Sequence, residues 1–447
     1  MSTEGPLRSG MTIRFGLIAL IVLTMLIPLA MVRGVTADRQ SYFDATLADV
    51  AGAWGEAQML SGPFLVVPET HRVASGTDAG GRTRVRRVSR ERVYLPVALH
   101  VEMDVRHQIR HRAIYDVPVY TAIARVRGTF APIDAEAADS PDTEVQANRA
   151  RLVLGISHTQ SIGSATPVTI GEAAYPFAAG AGQPWIGAGV HAELGSLQGR
   201  GAIPFSFELV LKGTRQLGFT PVGQDTRVHM RSSWPHPSFE GRYLPERYQV
   251  DDQGFEADWQ IGALARGLPG SFLADAAPES VQGEGAWVRL FQPVTAYTLV
   301  ERATKYALVF IALTFLAFVC FELNLGLRFH PVQYGVVGLA LVLFYLALLS
   351  LSEHLAFGLS YGVATALLTT LIGWYVWAMT RSGRMTAWLA GVISALYGTL
   401  FVLLRLEAFA LLVGTAVLVV GLVALMFSTW RLTDAEPGWQ RVEKTDA

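Results

Sequence analysis

The apolar positions of this chain fall into two patterns. Residues 306–428 form five apolar runs interrupted by only seven charged residues: Glu322, Arg328, Glu353, Arg381, Arg384, Arg405 and Glu407. Another apolar run, Phe15–Val32, lies near the start. A charge-poor stretch of about 20 residues is what a helix needs to cross a hydrocarbon core of about 30 Å. The pattern therefore predicts six spans: Phe15–Val32, Tyr306–Leu323, Tyr334–Leu351, Leu355–Met379, Ala387–Leu404 and Ala408–Phe427.

Between the first and second spans the period changes. Phe43, Leu47, Val50 and Trp54 recur at helical spacing, and Gly62-Pro63 is expected to end that helix. From Val97 to Ile109 the odd positions read Val, Leu, Val, Met, Val, His, Ile, while the even ones are mostly polar. The same alternation recurs at Phe205–Lys212, Arg227–Trp234 and Phe255–Ile261. Strands with one wet face predict antiparallel sheet arranged as a sandwich. Ala131–Glu144 (acid-, alanine- and proline-rich) and Gly171–Gly201 (glycine-rich) read as loops or insertions. The expected fold is a polytopic α-helical membrane protein of about six spans, with a large exported β-rich domain between spans one and two.

Basic residues orient the spans. With the N-terminus inside, the cytoplasmic segments carry Arg8, Arg14, Arg328, Arg381, Arg384, Arg431, Arg441 and Lys444, and the short outer turns carry only Arg405. Lys and Arg are retained on the cytoplasmic side, and long translocated domains do not count in that balance. Both termini are thus expected in the cytoplasm. The divisions are residues 1–14 inside, 15–32 a signal anchor, 33–303 an exported domain, 306–428 a five-helix bundle and 429–447 a cytoplasmic tail. Val35-Thr36-Ala37 resembles a signal-peptidase site, but the long apolar run and Arg33 favour a retained anchor.

Composition narrows the chemistry. The formal net charge of −1 gives no pull toward nucleic acid. The single cysteine, Cys320, permits neither an intrachain disulfide nor a thiolate metal site. His107 and His111 sit on a strand pattern, where four residues span about 13 Å, too far to share an ion. Gly187–Ala192 resembles a dinucleotide fingerprint, but the strand, helix and acidic residue that fingerprint needs are not predicted around it. No HExxH, Walker A, GxSxG or CxxC motif is present, and no cofactor or metal is expected.

Three groups remain as candidates. Arg82, Arg84, Arg86, Arg87, Arg90 and Arg92 form the one dense basic cluster, either a solvated hairpin or a contact for anionic lipid or acidic envelope polymer. Glu322, Glu353 and His354 lie at span ends, where water would favour anchoring and capping roles over chemistry at membrane depth. Arg405 and Glu407 could offset one another. Gly358, Gly362 and Ala366, and likewise Ala387, Gly391 and Ala395, repeat at four-residue spacing, which predicts close helix packing.

Several blocks are distinctive. They are Ser233-Trp234-Pro235-His236-Pro237-Ser238-Phe239, the run from Glu301-Arg302-Ala303-Thr304-Lys305-Tyr306-Ala307 into Ile311–Phe315, His330-Pro331-Val332-Gln333-Tyr334 with Val337-Gly338-Leu339, Leu349–His354, and Leu60-Ser61-Gly62-Pro63. Together they resemble the CreD family of inner-membrane proteins linked to cell-envelope integrity in Gram-negative bacteria. The resemblance runs from about residue 15 to 430 and is most specific over residues 301–354. Trp234 and His236 join the candidates through it. One departure is Ser157-His158-Thr159-Gln160-Ser161, where the family pattern has a Ser-Asp-x-Arg-Gly-like stretch, so no role of that Asp and Arg carries over. The resemblance implies an envelope-stress protein of the bacterial inner membrane with a periplasmic domain. It also implies links to colicin tolerance and β-lactam response, regulated through a two-component system, and no catalytic residue. The expected partners are the lipid bilayer, envelope polymers or membrane proteins. The alternative is a transporter or lipid-handling protein.

Overall fold

A computed structural model describes residues 16–77, 83–133, 143–278, 281, 285–290, 296–325, 329–406 and 409–430. The chain divides into two compact units, one taking the residues up to Phe43 and from Val294 on, the other Asp44–Pro293.

The first unit is helical. Its elements are the earlier part of α1 (Leu26–Trp54), then α2 (Ala296–Leu325), α3 (Pro331–Ser352), α4 (Phe357–Thr380), α5 (Gly383–Arg405) and α6 (Ala410–Trp430). By length and composition five helices can cross a bilayer, the first taken from Gly16, and Leu411–Phe427 is a shorter apolar helix. The start of α3 explains the His330–Gln333 block. His330 caps the helix by accepting from the Val332 amide at 3.3 Å, Gln333 accepts from the His330 amide at 2.9 Å, and Pro331 occupies the first turn. This satisfies amide groups that the first helical turn leaves without partners. Inside the bundle, Phe344 meets Tyr361 and Tyr397 edge-on, and the Tyr361 hydroxyl donates to the Tyr397 carbonyl at 2.7 Å. Leu343, Leu367 and Trp374 are exposed on the outer faces, as a lipid solvent allows.

The small-residue stripes behave differently from expectation. An added side chain at Gly362 or Gly391 would meet nothing within 4 Å, so neither is in close helix contact. Gly358, Gly362 and Ala366 instead line an open groove of about 470 Å³ between α4 and α5, with Tyr361, Thr365 and Thr369. Ala387, Gly391 and Ala395 are exposed on α5.

The second unit is built on strands. Helix α1 stops at Trp54, eight residues before the expected Gly62-Pro63. The reason is Gly55, whose φ of +142° suits only glycine and whose Cβ position lies 2.5 Å from the Lys212 carbonyl oxygen. Gly62-Pro63, joined by a cis peptide, sits inside the strand Gln58–Thr77 where its pairing with Ala150–Ile156 shifts register. Proline lacks the amide that a regular ladder would use there.

Two sheets form. The first runs in the order Ala178–Ala179, Gly189–Gly195, Ala150–Ile156, Gln58–Thr77, Gln216–Thr220, Ala286–Leu290, Pro237–Gly241. The second runs Arg247–Asp251, Gly254–Gly262, Asp225–Ser232, Ala98–Arg112, Tyr115–Phe130, Ile203–Thr214, Val168–Ile170, Ala173–Tyr175. Both contribute to one core, in which Phe64, Leu65 and Val153 of the first join Met103, Val126, Leu209 and Trp259 of the second. The period-two positions point inward over Leu99–Val105 and in the later strands, whereas Val97 and Ile109, at the two ends of the first pattern, are exposed. Leu99, Val101, Met103, Val105, Phe205, Phe207, Leu209, Leu211, Phe255, Ala257, Trp259 and Ile261 are all buried. Each Val, Leu, Ile, Phe or Met among them stabilises the fold by about 1.5–3 kcal/mol relative to exposure. Pairing is mainly antiparallel, but Gln58–Ser61 pairs parallel with Leu217–Thr220, and Asp225–Ser232 pairs parallel with Ala98–Val105.

Two further expectations change. Gly171–Gly201 is not simply a loop, since it holds the strands Ala173–Tyr175, Ala178–Ala179 and Gly189–Gly195. The fingerprint-like Gly187–Ala192 accordingly runs into a strand paired with Ala150–Gly155, not a helix. Ala131–Glu144 lies largely outside the described residues, and Thr143–Val145 pairs with Glu69–His71.

Candidate functional site

The Ser233–Phe239 block leaves the end of the strand Asp225–Ser232 and enters the strand Pro237–Gly241, which belongs to the other sheet. Trp234 is the pivot of this crossing. It is buried, its amide donates to Ser232 Oγ at 3.2 Å, and its indole N–H donates to the His236 carbonyl at 3.0 Å. The His107 ring meets the indole edge-on at 5.2 Å, and His107 Nδ1 lies 2.7 Å from Ser233 Oγ. His107 thus works as a surface partner of this crossing, while His111 pairs with Asp116. The His236 ring is exposed. Of the two block residues singled out in the sequence, Trp234 is a packing residue and His236 offers its ring to solvent.

Two open recesses adjoin the block. The first, about 510 Å³, is lined by Asp104, Arg106, Arg231, Ser233, Gln249 and Asp251, with Glu256 beside them. Arg231 lies 2.9 Å from Asp104. Its pKa is raised above the usual arginine value, first by the Asp104 hydrogen bond and charge and then by Glu256 and Glu102, so the recess keeps a fixed positive charge among carboxylates. The second recess, about 390 Å³, is lined by Pro235, His236, Pro237, Ser238 and Val250.

The arginine cluster separates into unlike members. Arg82 lies outside the described residues, and for Arg84 only the backbone is described, in the strand Thr83–Tyr94. Arg86 and Arg87 are exposed. Arg90 lies 3.7 Å from Asp275. Arg92 donates through Nε to buried Glu69 at 2.7 Å, and His71 Nε2 is 3.3 Å from the other oxygen of that carboxylate. Arg92 therefore belongs to an internal ion pair, and a surface contact can involve only the outer arginines.

The span-end candidates also differ from expectation. Glu322 is buried rather than water-exposed. Its carboxylate accepts from the Tyr334 hydroxyl at 2.9 Å and from the Phe329 amide at 3.2 Å. It joins the end of α2 to the start of α3. Glu353 caps the C-terminus of α3 and lies 3.3 Å from Arg39 Nε on α1. His354 is exposed, and its amide donates to the Leu351 carbonyl at 3.1 Å. Arg405 stacks over Phe401 at 4.8 Å, while Glu407 lies outside the described residues. Sequence reasoning missed Arg39, Tyr334, Glu69 and the His107–Ser233 pair. Tyr334 and Ser233 lay inside distinctive blocks and His107 on a strand pattern, but nothing in the sequence paired His107 with Ser233, and Arg39 and Glu69 carried no signal. Among the described residues there is no group of three or more His, Cys, Asp or Glu placed to hold a metal.

Residues 10–434 match the family model described as Inner membrane protein CreD. The chain belongs to the CreD family. It is 31% identical over 427 residues to the Inner membrane protein CreD of Escherichia coli (strain K12), covering 95% of this chain and 93% of that one. Membership makes it a membrane protein, and its long apolar helices agree with an inner-membrane setting. Among solved structures, the M1 zinc metallopeptidase from Deinococcus radiodurans is similar at 10% identity over 44% of this chain and 42% of that one, with a TM-score of 0.23. A likeness of that size carries no argument. The CreD blocks at Ser233–Phe239, His330–Tyr334 and Leu349–His354 correspond to a crossing between sheets, a helix cap with its buried carboxylate, and the C-terminal cap of α3.

Proposed function

We propose that this CreD-family chain supports cell-envelope integrity under stress, and that it does so by binding rather than by catalysis. In this reading its β unit is exported, both termini are cytoplasmic, and the helices hold the β unit at the membrane. The observation that carries the reading is the setting of the Ser233–Phe239 block, which borders two open recesses on the β unit. The excess of basic residues on one side of the spans supports the orientation. The family resemblance supports roles in colicin tolerance and β-lactam response. The test is complementation of a strain lacking the chain. Rescue of envelope-stress survival by the full chain, and by Glu322→Gln at equal membrane level, agrees with the reading. Failure of the wild-type chain to rescue would overturn it.

A second reading, transport or lipid handling through the helices, draws on two observations. Glu322 is a buried carboxylate between helices, and the groove between α4 and α5 is lined by Tyr361, Thr365 and Thr369. Ionisable groups at membrane depth are a default sign of a pathway. Uptake or lipid flipping by the full chain in vesicles, lost in Glu322→Gln, would favour it.

A further inference from the structure

The strand Arg247–Asp251 ends the second sheet, paired on one side with Gly254–Asp258. All five of its residues are exposed, and Tyr248 and Val250 are large apolar side chains left 61% and 44% accessible. An edge strand offers alternate amide and carbonyl groups to a further strand. The edge is short and charged at both ends, by Arg247 and Asp251, with the two exposed apolar residues Tyr248 and Val250 between them.

The two recesses described above flank this same strand on opposite faces. Gln249 and Asp251 face the polar recess with Arg231 and Glu256, whereas Val250 faces the recess formed by Pro235–Ser238. Phe239 packs against Tyr248 at 5.2 Å on that second face. The hairpin behind the edge is held firmly. Asp251 Oδ1 accepts from the Gln253 and Gly254 amides at 2.8 and 3.0 Å, and Gly254 has a φ of +146°. An additional strand laid on this edge would place successive side chains alternately toward a charged, polar recess and toward an apolar one.

We infer that the Arg247–Asp251 edge is a peptide-docking site that takes an extended polypeptide segment by strand addition, with apolar and polar residues alternating along it. Main-chain bonds to the edge would supply affinity, and the recesses either side would supply selectivity. The Ser233–Phe239 block acquires a role here, since Ser233 lines one recess and Pro235–Ser238 the other. The inference rests on the binding reading above and deepens it by naming the partner's chemistry.

The test uses the full chain in detergent micelles and a displayed library of random decapeptides. Selection should enrich sequences with period-two apolar residues. The best peptide, remade with N-methyl groups on one set of alternate amides, should bind about tenfold weaker or worse, and methylation of the other set should change little. Val250→Asp should weaken binding about tenfold while leaving thermal unfolding unchanged. Enrichment without alternation, equal binding of both methylated peptides, or full binding by Val250→Asp would overturn the inference. So would self-association of the chain through this edge, detected as a dimer lost in Val250→Asp, because the occupant would then be a second copy. If no peptide binds while the wild-type chain still rescues envelope stress, the docking inference fails and the envelope reading stands.

Discussion

Arg39 on α1 reaches Glu353 at the end of α3, with Nε 3.3 Å from the carboxylate. Arg33, further up α1, donates to the Thr304 carbonyl on α2 at 2.7 Å. Two cationic side chains thus tie the first helix to two others of the same unit. The Arg39 side chain is 46% exposed and that of Glu353 only 11%, so solvent screens part of the attraction. Arg39→Gln and Glu353→Gln should each cost about 1 kcal/mol, and the double variant little more than either. Unfolding of the four proteins in detergent measures the coupling; additive losses would show that the pair is not coupled.

The Glu322 carboxylate accepts from the Tyr334 hydroxyl and the Phe329 amide. Tyr334→Phe removes one hydrogen bond to a charged group and should cost about 1.5–3 kcal/mol of stability. Glu322→Gln keeps an acceptor and should cost less. The order of the two, read from unfolding midpoints in the same detergent, checks whether the site is structural.

Arg92 and the outer arginines should part company on substitution. Arg92→Ala leaves the buried Glu69 carboxylate with only His71 Nε2 of its two described basic neighbours and should destabilise the β unit by about 3 kcal/mol. Arg86→Ala and Arg87→Ala should leave the unfolding midpoint unchanged. If these outer residues contact anionic lipid, their double variant should show weaker salt-sensitive binding to phosphatidylglycerol vesicles.

Tyr120 provides a pH test. It is fully buried, its hydroxyl donates to the Gln216 carbonyl at 2.7 Å, and burial holds its pKa well above the usual tyrosine value. The raised folded-state pKa disfavours the charged form, so the unfolded chain loses this proton first. Stability should therefore fall once pH exceeds the unfolded tyrosine pKa of about 10, by up to about 1.4 kcal/mol per pH unit from this residue. Tyr120→Phe should be less stable at pH 7 yet show a shallower decline above pH 10. Parallel declines would contradict the assignment.

The parts of this fold written as regular repeats were legible in the sequence. The alternation at Leu99–Val105 and Phe255–Ile261 named the inward positions because one sheet face is buried, and the apolar runs located the helices because lipid requires such runs. What escaped was set by contacts distant in sequence. The stop of α1 depends on Gly55 meeting Lys212, and the short strands within Gly171–Gly201 exist only because Ala150–Ile156 lies beside them. Burial of Glu322 required the α2–α3 turn to bring Tyr334 back upon it, and Arg92 could not be told from Arg86 until Glu69 was placed. Small residues at four-residue spacing were read as helix contacts, yet spacing does not say which neighbour fills the groove they make.

The proposed orientation puts the β unit outside the inner membrane and the α2–α3 and α4–α5 connections, with both termini, in the cytoplasm. The direct measurement is labelling of single cysteines in intact spheroplasts with a membrane-impermeant maleimide, in a Cys320→Ser background. Asp252→Cys, at the tip of the edge hairpin, should react without permeabilisation. Ser382→Cys, in the turn between α4 and α5, should react only after it. Labelling of position 382 from outside, or of position 252 only after permeabilisation, would contradict the account.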